Sequence, residues 1–218
     1  MTDDDCSILS ARQALIVIQT FLFDMGNVVV HFCHDRMCRQ IGELCGQSGP
    51  EIRQWLIDSG LQWQFERGLV SPAELHQQFE SSTGVRVDVE KLATAASDIF
   101  TLNTSLLPVL DELKSRGHRL VLLSNTNVWH YEFVSRQFDV LRRFDECVLS
   151  FEVNAMKPDA AIYHRALEAI GCDPADCFYT DDVPDYVATG RRFGLDAAVF
   201  TETRSLIDQL HARGLDMT

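Results

Sequence analysis

The 218-residue sequence lacks several features that define large classes of proteins. No apolar run approaches the length of a membrane-spanning helix, which argues against a transmembrane protein. Basic residues are scarce, because 19 Lys and Arg stand against 32 Asp and Glu, for a net charge of −13. This imbalance disfavours binding to nucleic acid or to an anionic membrane. A site for an anionic ligand must therefore supply its positive charge locally.

Paired CxxC motifs are also absent, although the chain contains seven cysteines. Five potential zinc ligands do lie close together in the sequence, namely His31, Cys33, His34, Cys38 and Cys45. However, Cys38 and Cys45 have the spacing of the apolar face of a helix. We therefore expect buried, reduced thiols here rather than a zinc site.

The first residues lack the basic stretch that begins a secretory signal. The chain starts with MTDDD, and it contains no internal repeat and no low-complexity linker. We expect residues 1–17 to form a partly disordered extension and the protein to be cytoplasmic. The length suits one medium domain, or a core that carries a smaller insertion.

One strand dominates what the sequence does contain. Residues 21–23 are apolar and aromatic, Asp24 follows them, and a break comes at Gly26 and Asn27. A continuous apolar run is typical of a parallel strand that is covered on both faces. In open α/β sheets, ligands bind beyond the carboxyl ends of the strands, where Asp24 falls. The structural alternative is a turn Asp that binds nearby backbone amides.

Residues 31–100 differ from the rest of the chain, because strand-like runs are nearly absent and helical spacing prevails. Residues 50–59 and 71–82 are predicted helices, and Ser71 followed by Pro72 and Glu74 is typical of a helix N-terminus. Such a long helical stretch exceeds what a crossover between strands needs. It predicts a helical subdomain inserted into a core formed by residues 18–30 and 101–218.

After the insertion, buried strands alternate with helices. The predicted strands are residues 118–124, 146–149, 176–180 and 197–200. The predicted helices are residues 106–116, 127–138, 158–170, 184–193 and 203–213. This alternation is typical of the α/β class with a doubly wound parallel sheet.

Three further element boundaries carry polar residues. Ser124 and Asn125 lie between a strand and a helix, where they can form an anion-binding cradle or simply an N-cap pair. Lys157 precedes Pro158 at a predicted helix start, where a cation opposes the helix dipole. A bound anion explains that lysine better than a structural role does.

The remaining strand end is acidic. Asp181, Asp182 and Asp185 lie within five residues and repel one another unless a cation holds them. Oxygen-rich sites of this kind suit Mg²⁺, which binds one or two carboxylates, water and substrate phosphate. The structural alternative is a solvated acidic turn that caps the next helix.

In this order, the four sites resemble the haloacid dehalogenase superfamily, and the resemblance covers nearly the whole chain after about residue 18. The segments DMGNV, LSNTN and MKPDAAIY resemble the branch of α-D-glucose-1-phosphate phosphatases and the phosphatase domain of soluble epoxide hydrolases. In that family, an insertion after the first motif forms a helical cap over the site. The resemblance implies a Rossmann-like core and a Mg²⁺-dependent phosphatase. It also implies a small phosphorylated metabolite, such as a sugar phosphate, as substrate, and a monomer or homodimer.

The resemblance also implies a role for each site residue. Asp24 would be the nucleophile that becomes an aspartyl phosphate. Ser124 and Asn125 would bind the transferring oxygens, and Lys157 would neutralise charge on Asp24 and on the phosphoryl group.

The same resemblance implies a metal site. Asp24, Asp181 and the backbone carbonyl of Gly26 would hold Mg²⁺, with Asp182 or Asp185 assisting. The metal would serve as a template and a charge sink for in-line displacement.

Gly26 departs from the family pattern. Most phosphatases of the family place a second Asp there, as acid for the leaving group and base for the attacking water. Proton transfer of this kind contributes roughly 10²–10⁴-fold, so its loss predicts low turnover. His31, His34 and Asp35 lie just downstream and are candidates to replace it, as are a substrate hydroxyl and water. The sugar-phosphatase branch shares the Gly-Asn pattern.

Three other functions stay open. A metal-independent dehalogenase would leave the acidic cluster after residue 180 unexplained. A phosphonate hydrolase needs a cap lysine, and the insertion has only Lys91, near its end. A non-catalytic phosphate-binding protein explains Gly26 but not the retained Asp24, Lys157 and Asp181.

Aromatic and charged residues of the insertion give no decisive code for the substrate. They are equally consistent with packing inside the cap and against the core. The residues concerned are Trp55, Trp63, Phe65, Glu66 and Arg67.

Overall fold

The computed structural model describes residues 18–217. Its strands are β1 (Thr20–Phe23), β2 (Val30–Phe32), β3 (Phe100–Leu102), β4 (Arg119–Ser124), β5 (Glu146–Leu149), β6 (Cys177–Asp181) and β7 (Asp196–Val199). Five of them form a parallel sheet in the order β5-β4-β1-β6-β7, while β2 and β3 form a separate antiparallel pair. The predicted α/β class is confirmed.

The helices connect these strands and cover both faces of the sheet. They are α1 (His34–Cys45), α2 (Gly49–Arg53), α3 (Leu61–Glu66), α4 (Pro72–Thr83), α5 (Val89–Ser97), α6 (Leu107–Ser115), α7 (Val128–Gln137), α8 (Ser150–Val153), α9 (Ala160–Ile170), α10 (Pro184–Arg192) and α11 (Thr203–His211). A π-helical turn at Gln54–Asp58 extends α2. Short 3₁₀ turns lie at Thr104–Leu106, Asp139–Arg143 and Pro174–Asp176.

Strand β1 lies at the centre of the sheet and is buried along its whole length. Phe21 and Phe23 pack into an apolar cluster on one face, and Leu22 packs into a second cluster on the other. A strand covered on both faces needs apolar residues at every position, which is the pattern the sequence shows. Because β4 and β6 run parallel to β1 on either side, the carboxyl ends of all three strands meet at one edge of the sheet.

The predicted elements of the core agree with the structure to within two residues. The strand at residues 146–149 is confirmed without any shift. The helix predicted from Pro158 instead begins at Ala160, because Asp159 is still extended (φ −61°, ψ 141°). Lys157 therefore precedes the first helical residue by three positions, and the predicted effect of the helix dipole on it stays a prediction.

The insertion contains α1 to α5, and the expected helix start at Ser71 is confirmed by a reciprocal capping box with Glu74. The sequence did not predict β2 and β3. These strands pair antiparallel where the chain leaves and re-enters the core. Since these strands bridge the two parts, the division at residues 31 and 100 stays a prediction. Cap and core side chains share one continuous apolar cluster.

The predicted extension at residues 1–17 lies outside the described residues. Within residues 18–217, no helix is both long enough and apolar enough to cross a membrane. The cytoplasmic location stays a prediction.

Candidate active site

The ammonium group of Lys157 lies at the centre of the site. Its Nζ donates hydrogen bonds to Asp24 Oδ1 and Asp181 Oδ2, both at 2.6 Å, and to the carbonyl of Leu123 at 3.0 Å. All three donors of the ammonium group are thus used, and the side chain is 1% exposed. Because Asp24 follows β1 and Asp181 ends β6, the lysine joins two neighbouring strand ends.

Burial and neighbouring charges have opposite effects on the pKa values of Asp24 and Lys157. Burial raises the pKa of Asp24 to about 7, although Lys157 acts in the opposite direction. Burial also lowers the pKa of Lys157, but Asp181 and Asp24 outweigh it and hold that pKa above its ordinary value. The lysine therefore stays charged. Removing one partner from a buried ion pair typically costs about 3–5 kcal/mol, so the three side chains form one unit.

Asp181 and Asp182 are held in place by hydrogen bonds from β6, from the residues that follow it and from the turn after β1. The hydroxyl of Tyr179 donates to Asp181 Oδ2 at 2.6 Å, and the backbone N–H of Val183 donates to Oδ1 at 2.9 Å. Asp182 Oδ2 accepts a hydrogen bond from Asn27 Nδ2 at 3.0 Å. Asn27 has a left-handed backbone (φ 54°), which turns the chain just after β1 and brings its amide to the β6 end.

Three carboxylates could hold a divalent cation. Asp24, Asp181 and Asp182 each offer one oxygen, and these atoms all lie within 4.8 Å of one another. The donor set is all carboxylate oxygen, which suits Mg²⁺, and the net charge of three carboxylates and one ammonium still attracts a cation. Among residues 18–217 this is the one such group. Asp185, also predicted as a ligand, is exposed in the first turn of α10 and lies outside the group.

Ser124 and Asn125 differ in what they contact. The buried hydroxyl of Ser124 has no hydrogen-bond partner among the described residues. In contrast, Asn125 Oδ1 accepts from the backbone N–H of Lys157 at 2.7 Å, and its Nδ2 donates to the Lys157 carbonyl at 3.0 Å. Asn125 thus positions the lysine, a role that the sequence did not predict. The role of Ser124 in binding the transferring oxygens stays a prediction.

A cavity of about 230 Å³ opens above these residues, between the core and the cap. Its core wall consists of Asp24, Met25, Gly26, Asn27, Asn125, Thr126, His130, Lys157, Asp182, Val183 and Tyr186. Its cap wall consists of Phe32, His34, Trp63, Glu66 and Phe100. Lys157 is the only Lys or Arg among these lining residues.

Phe32 occupies the space beside Gly26. A Cβ atom added to Gly26 would lie 2.9 Å from Cε1 of the Phe32 ring, which is closer than side-chain carbons normally approach. The backbone of Gly26 has no positive φ, so the obstacle to a side chain there is the ring and not the backbone.

The structure separates the three candidate replacements for the missing acid. His31 is exposed, because successive residues of β2 point to opposite faces and Phe32 takes the cavity side. Asp35 is exposed and pairs with Arg53 at 3.4 Å. Neither side chain lines the cavity, whereas His34 does. Burial and then Arg53 lower the pKa of His34, which favours its neutral form.

His130 and Glu66 are two of the lining residues that were not predicted as part of the site. His130 is buried, with Nε2 at 3.1 Å from the Ala96 carbonyl of α5 and Nδ1 at 3.1 Å from Asn127 Nδ2. Glu66 is buried at the end of α3, and its side chain accepts a hydrogen bond from Gln62 at 2.7 Å. In the sequence, Gln62 and Glu66 have the ordinary spacing of a helix pair, which gives no sign that the acid is buried.

With the site described, its relatives can be compared. A model of the haloacid dehalogenase-like hydrolase family matches residues 18–194, and the chain belongs to that family. The phosphatase MT3486 of Mycobacterium tuberculosis is 31% identical over 83% of this chain and 86% of its own length. The D-ribitol-5-phosphate phosphatase of Bacteroides thetaiotaomicron is 23% identical over 83% of this chain and 90% of its own.

A solved structure agrees on the fold, and a further sequence match covers part of a longer protein. The family enzyme bt-2542 of Bacteroides thetaiotaomicron, solved with magnesium and inorganic phosphate, has a TM-score of 0.76. It is 24% identical, and the alignment covers 87% of this chain and 98% of that one. The chain spans 62% of the length of a flavin mononucleotide hydrolase from Arabidopsis thaliana, at 23% identity over 71% of this chain. The predicted superfamily is confirmed, while the narrower glucose-1-phosphate branch stays a prediction.

Proposed function

We propose that this hydrolase is a Mg²⁺-dependent phosphatase that cleaves a small phosphate monoester, such as a sugar phosphate, through an aspartyl phosphate. One observation carries the proposal: Lys157 is held between Asp24 and Asp181, beside a set of carboxylates within 4.8 Å of one another. A dehalogenase has no use for that carboxylate set, since its reaction needs no metal. Relatives named as phosphatases support the same reading.

The roles of the residues follow from their contacts. Asp24 forms a bond to phosphorus while the bond from phosphorus to the ester oxygen breaks, and that oxygen leaves with the electron pair. Lys157 orients the Asp24 carboxylate and offsets negative charge next to it. The buried hydroxyl of Ser124 is free to donate to a phosphoryl oxygen. Water then attacks phosphorus, which releases phosphate and restores Asp24.

The carboxylates fit the expected cation. Asp24, Asp181 and Asp182 would hold Mg²⁺, together with the carbonyl of Gly26, which lines the same cavity. When bound, the metal supplies a template and charge stabilisation for in-line displacement.

The cavity restricts the leaving group. Its volume of about 230 Å³ lies below the roughly 300–1,000 Å³ typical of sites for drug-sized ligands, which favours a small ester. The single basic residue, Lys157, is already paired with two carboxylates, so no cation is available for a second anionic group. The aromatic rings of Phe32, Trp63 and Phe100 suit an uncharged leaving group that is partly apolar.

A panel of phosphate esters tests the proposal. It contains p-nitrophenyl phosphate, glucose 1-phosphate, ribitol 5-phosphate, 3-phosphoglycerate, a sugar bisphosphate and flavin mononucleotide, each measured with Mg²⁺ and with chelator. We expect Mg²⁺-dependent phosphate release from esters whose leaving group is small and uncharged. For esters whose leaving group is large or carries a second anionic group, we expect a much lower kcat/KM. Equal activity with chelator would contradict the metal site.

Absence of turnover would favour a different function. The Phe32 ring packed beside Gly26 is the observation in favour of a non-catalytic phosphate-binding protein. In that case the panel would show no phosphate release, although calorimetry would still detect binding of inorganic phosphate in the presence of Mg²⁺.

A further inference from the structure

The core wall supplies no proton for the leaving group. Gly26 has no side chain, and the Phe32 ring fills the adjacent space. Asp24 is committed to phosphorus, and Lys157 is fully hydrogen-bonded to carboxylates and a carbonyl. An alkoxide is a poor leaving group, so an acid from elsewhere in the cavity is needed for sugar or polyol phosphates.

Apart from the ion-paired residues and the proposed metal ligands, four titratable side chains line the cavity, and three of them are poorly suited as acids. Burial raises the pKa of Tyr186 above the ordinary value of a tyrosine, so its hydroxyl holds its proton too tightly. His130 uses both ring nitrogens in contacts to Ala96 and Asn127, and burial lowers its pKa to about 4. His34 has its pKa lowered by burial and by Arg53, so the neutral imidazole has no readily donated proton. The fourth side chain is Glu66.

Glu66 is held at the core although it belongs to the cap. Ser150 Oγ donates to the Glu66 carbonyl at 2.6 Å and accepts from the backbone N–H of Thr126 at 2.9 Å. Thr126 lies directly after the Ser124–Asn125 pair, so this bridge connects Glu66 to the reactive edge of the sheet. A salt bridge between Arg67 and Asp159 at 2.9 Å fixes the next residue as well.

The surroundings of the Glu66 side chain favour its protonated form. The residue is 6% exposed, and among the described side chains its hydrogen-bond partner is the neutral amide of Gln62. No lysine or arginine other than Lys157 lines the cavity that Glu66 shares with Asp24. Burial, opposed by Gln62, raises the pKa of Glu66 to about 7. A carboxylic acid that keeps its proton near neutral pH can donate it.

We infer that Glu66 is a catalytic acid and base supplied by the cap, in place of the second Asp that Gly26 lacks. This inference rests on the proposed phosphatase function. In the first step, the ester oxygen leaves phosphorus with the electron pair and takes the Glu66 proton, giving the alcohol, the Glu66 carboxylate and aspartyl phosphate. In the second, water attacks phosphorus and gives a proton to Glu66 as the bond to Asp24 breaks.

The test compares two leaving groups in wild type and in Glu66→Gln. The substrates are p-nitrophenyl phosphate, whose anion leaves without a proton, and ribitol 5-phosphate, whose primary alkoxide does not. In Glu66→Gln, we expect a burst of about one nitrophenolate per active site followed by slow turnover, because the second step lacks its base. Turnover of ribitol 5-phosphate should fall roughly 10²–10⁴-fold, without a burst.

Control variants separate this role from others. Glu43→Gln changes an exposed carboxylate of α1 in the same cap and should match wild type. A rise in KM alone in Glu66→Gln would overturn the inference and make Glu66 a binding residue. A burst in His34→Gln but not in Glu66→Gln would also overturn it. Wild type that is inactive on every ester would instead reject the phosphatase function itself.

Discussion

The core wall and the cap wall of the cavity differ in how firmly their side chains are held. On the core wall, Asp24 and Lys157 are buried, and Lys157 is joined to Asp24 and to the buried Asp181 by hydrogen bonds of 2.6 Å. On the cap wall, Trp63 is 47% exposed and Phe32 is 36% exposed. The core wall is thus organised before any substrate binds, which is what electrostatic catalysis requires. The cap wall is the part that can adapt to the leaving group.

Substitutions in the two walls should also have different consequences. At the core wall, Lys157 pairs with Asp24 and Asp181, and Asp182 lies in the same carboxylate group, so a change of charge there affects every member. The cap wall contributes aromatic rings and one isolated acid, whose effects should be local. Substitutions in the core wall should therefore abolish chemistry, and those in the cap wall, apart from Glu66, should alter selectivity and stability.

The largest effect is expected at Asp24. Asp24→Asn keeps the shape and an acceptor for Lys157 but cannot form the acyl phosphate, so kcat should fall about 10³-fold or more. Asp35→Asn is the matched control, because Asp35 is an exposed cap residue paired with Arg53 and should lose little activity. Steady-state kinetics and melting curves measure both variants. More than a few per cent of activity in Asp24→Asn would rule out this nucleophile.

The metal site provides the second test, since Asp181 and Asp185, on either side of one short loop, are expected to differ. Saturating Mg²⁺ at about 100 times its Kd should stabilise wild type by about 2.7 kcal/mol, seen as a higher melting temperature. Asp181→Asn should weaken Mg²⁺ binding at least about tenfold. Asp185→Asn should leave it unchanged, because Asp185 is exposed and outside the carboxylate group. Equal loss in both variants would contradict this ligand set.

The contrast between the walls also explains what the sequence could predict. Parallel strands bring their carboxyl ends to one edge, so Asp24, Ser124 and Asp181 could be placed together from the order of strands alone. The role of Asn125 could not, since it depends on the path of the loop that carries Lys157.

Prediction failed on the cap wall for a related reason. Phe32 and Glu66 reach the cavity through the packing of the cap against the core, and no local pattern encodes that packing. His31 and Asp35, by contrast, were chosen for their closeness to Gly26 in the sequence. His31 points to the face of β2 opposite to Phe32, and Asp35 is exposed on α1, so neither side chain lines the cavity.

The third test restores an acid to the core wall. Gly26→Asp alone should cost about 1–3 kcal/mol of stability, because the new Cβ would meet the Phe32 ring at 2.9 Å. Gly26→Asp combined with Phe32→Ala should relieve that strain and speed cleavage of ribitol 5-phosphate relative to Phe32→Ala alone. The gain should be smaller for p-nitrophenyl phosphate, whose leaving group needs no proton. Equal gains for both substrates would mean that protonation does not limit the reaction.

The fourth test concerns the pH dependence of stability and a residue of the cap wall. The ordinary pKa of a glutamate is 4.5, whereas burial raises that of Glu66 to about 7 in the folded protein. Between these pH values the folded state binds more protons than the unfolded state, so the free energy of unfolding should fall as pH rises. One pKa unit corresponds to 1.36 kcal/mol, which gives a loss of about 3 kcal/mol by pH 8.

Glu66→Gln should remove this loss, because an amide does not ionise and can still accept the hydrogen bond from Gln62. Relative to wild type, the variant should therefore gain about 2–3 kcal/mol between pH 4.5 and pH 8, measured by urea unfolding at each pH. Glu43→Gln, on the exposed face of α1, should show no such gain. If the free energy of unfolding depended on pH in the same way in wild type and in Glu66→Gln, the Glu66 carboxyl would be solvated. Its pKa would then not be raised, and Glu66 would not hold a proton near neutral pH. A confirmed gain, together with lost turnover, would mean that the cap wall retains a destabilising carboxyl for its chemistry.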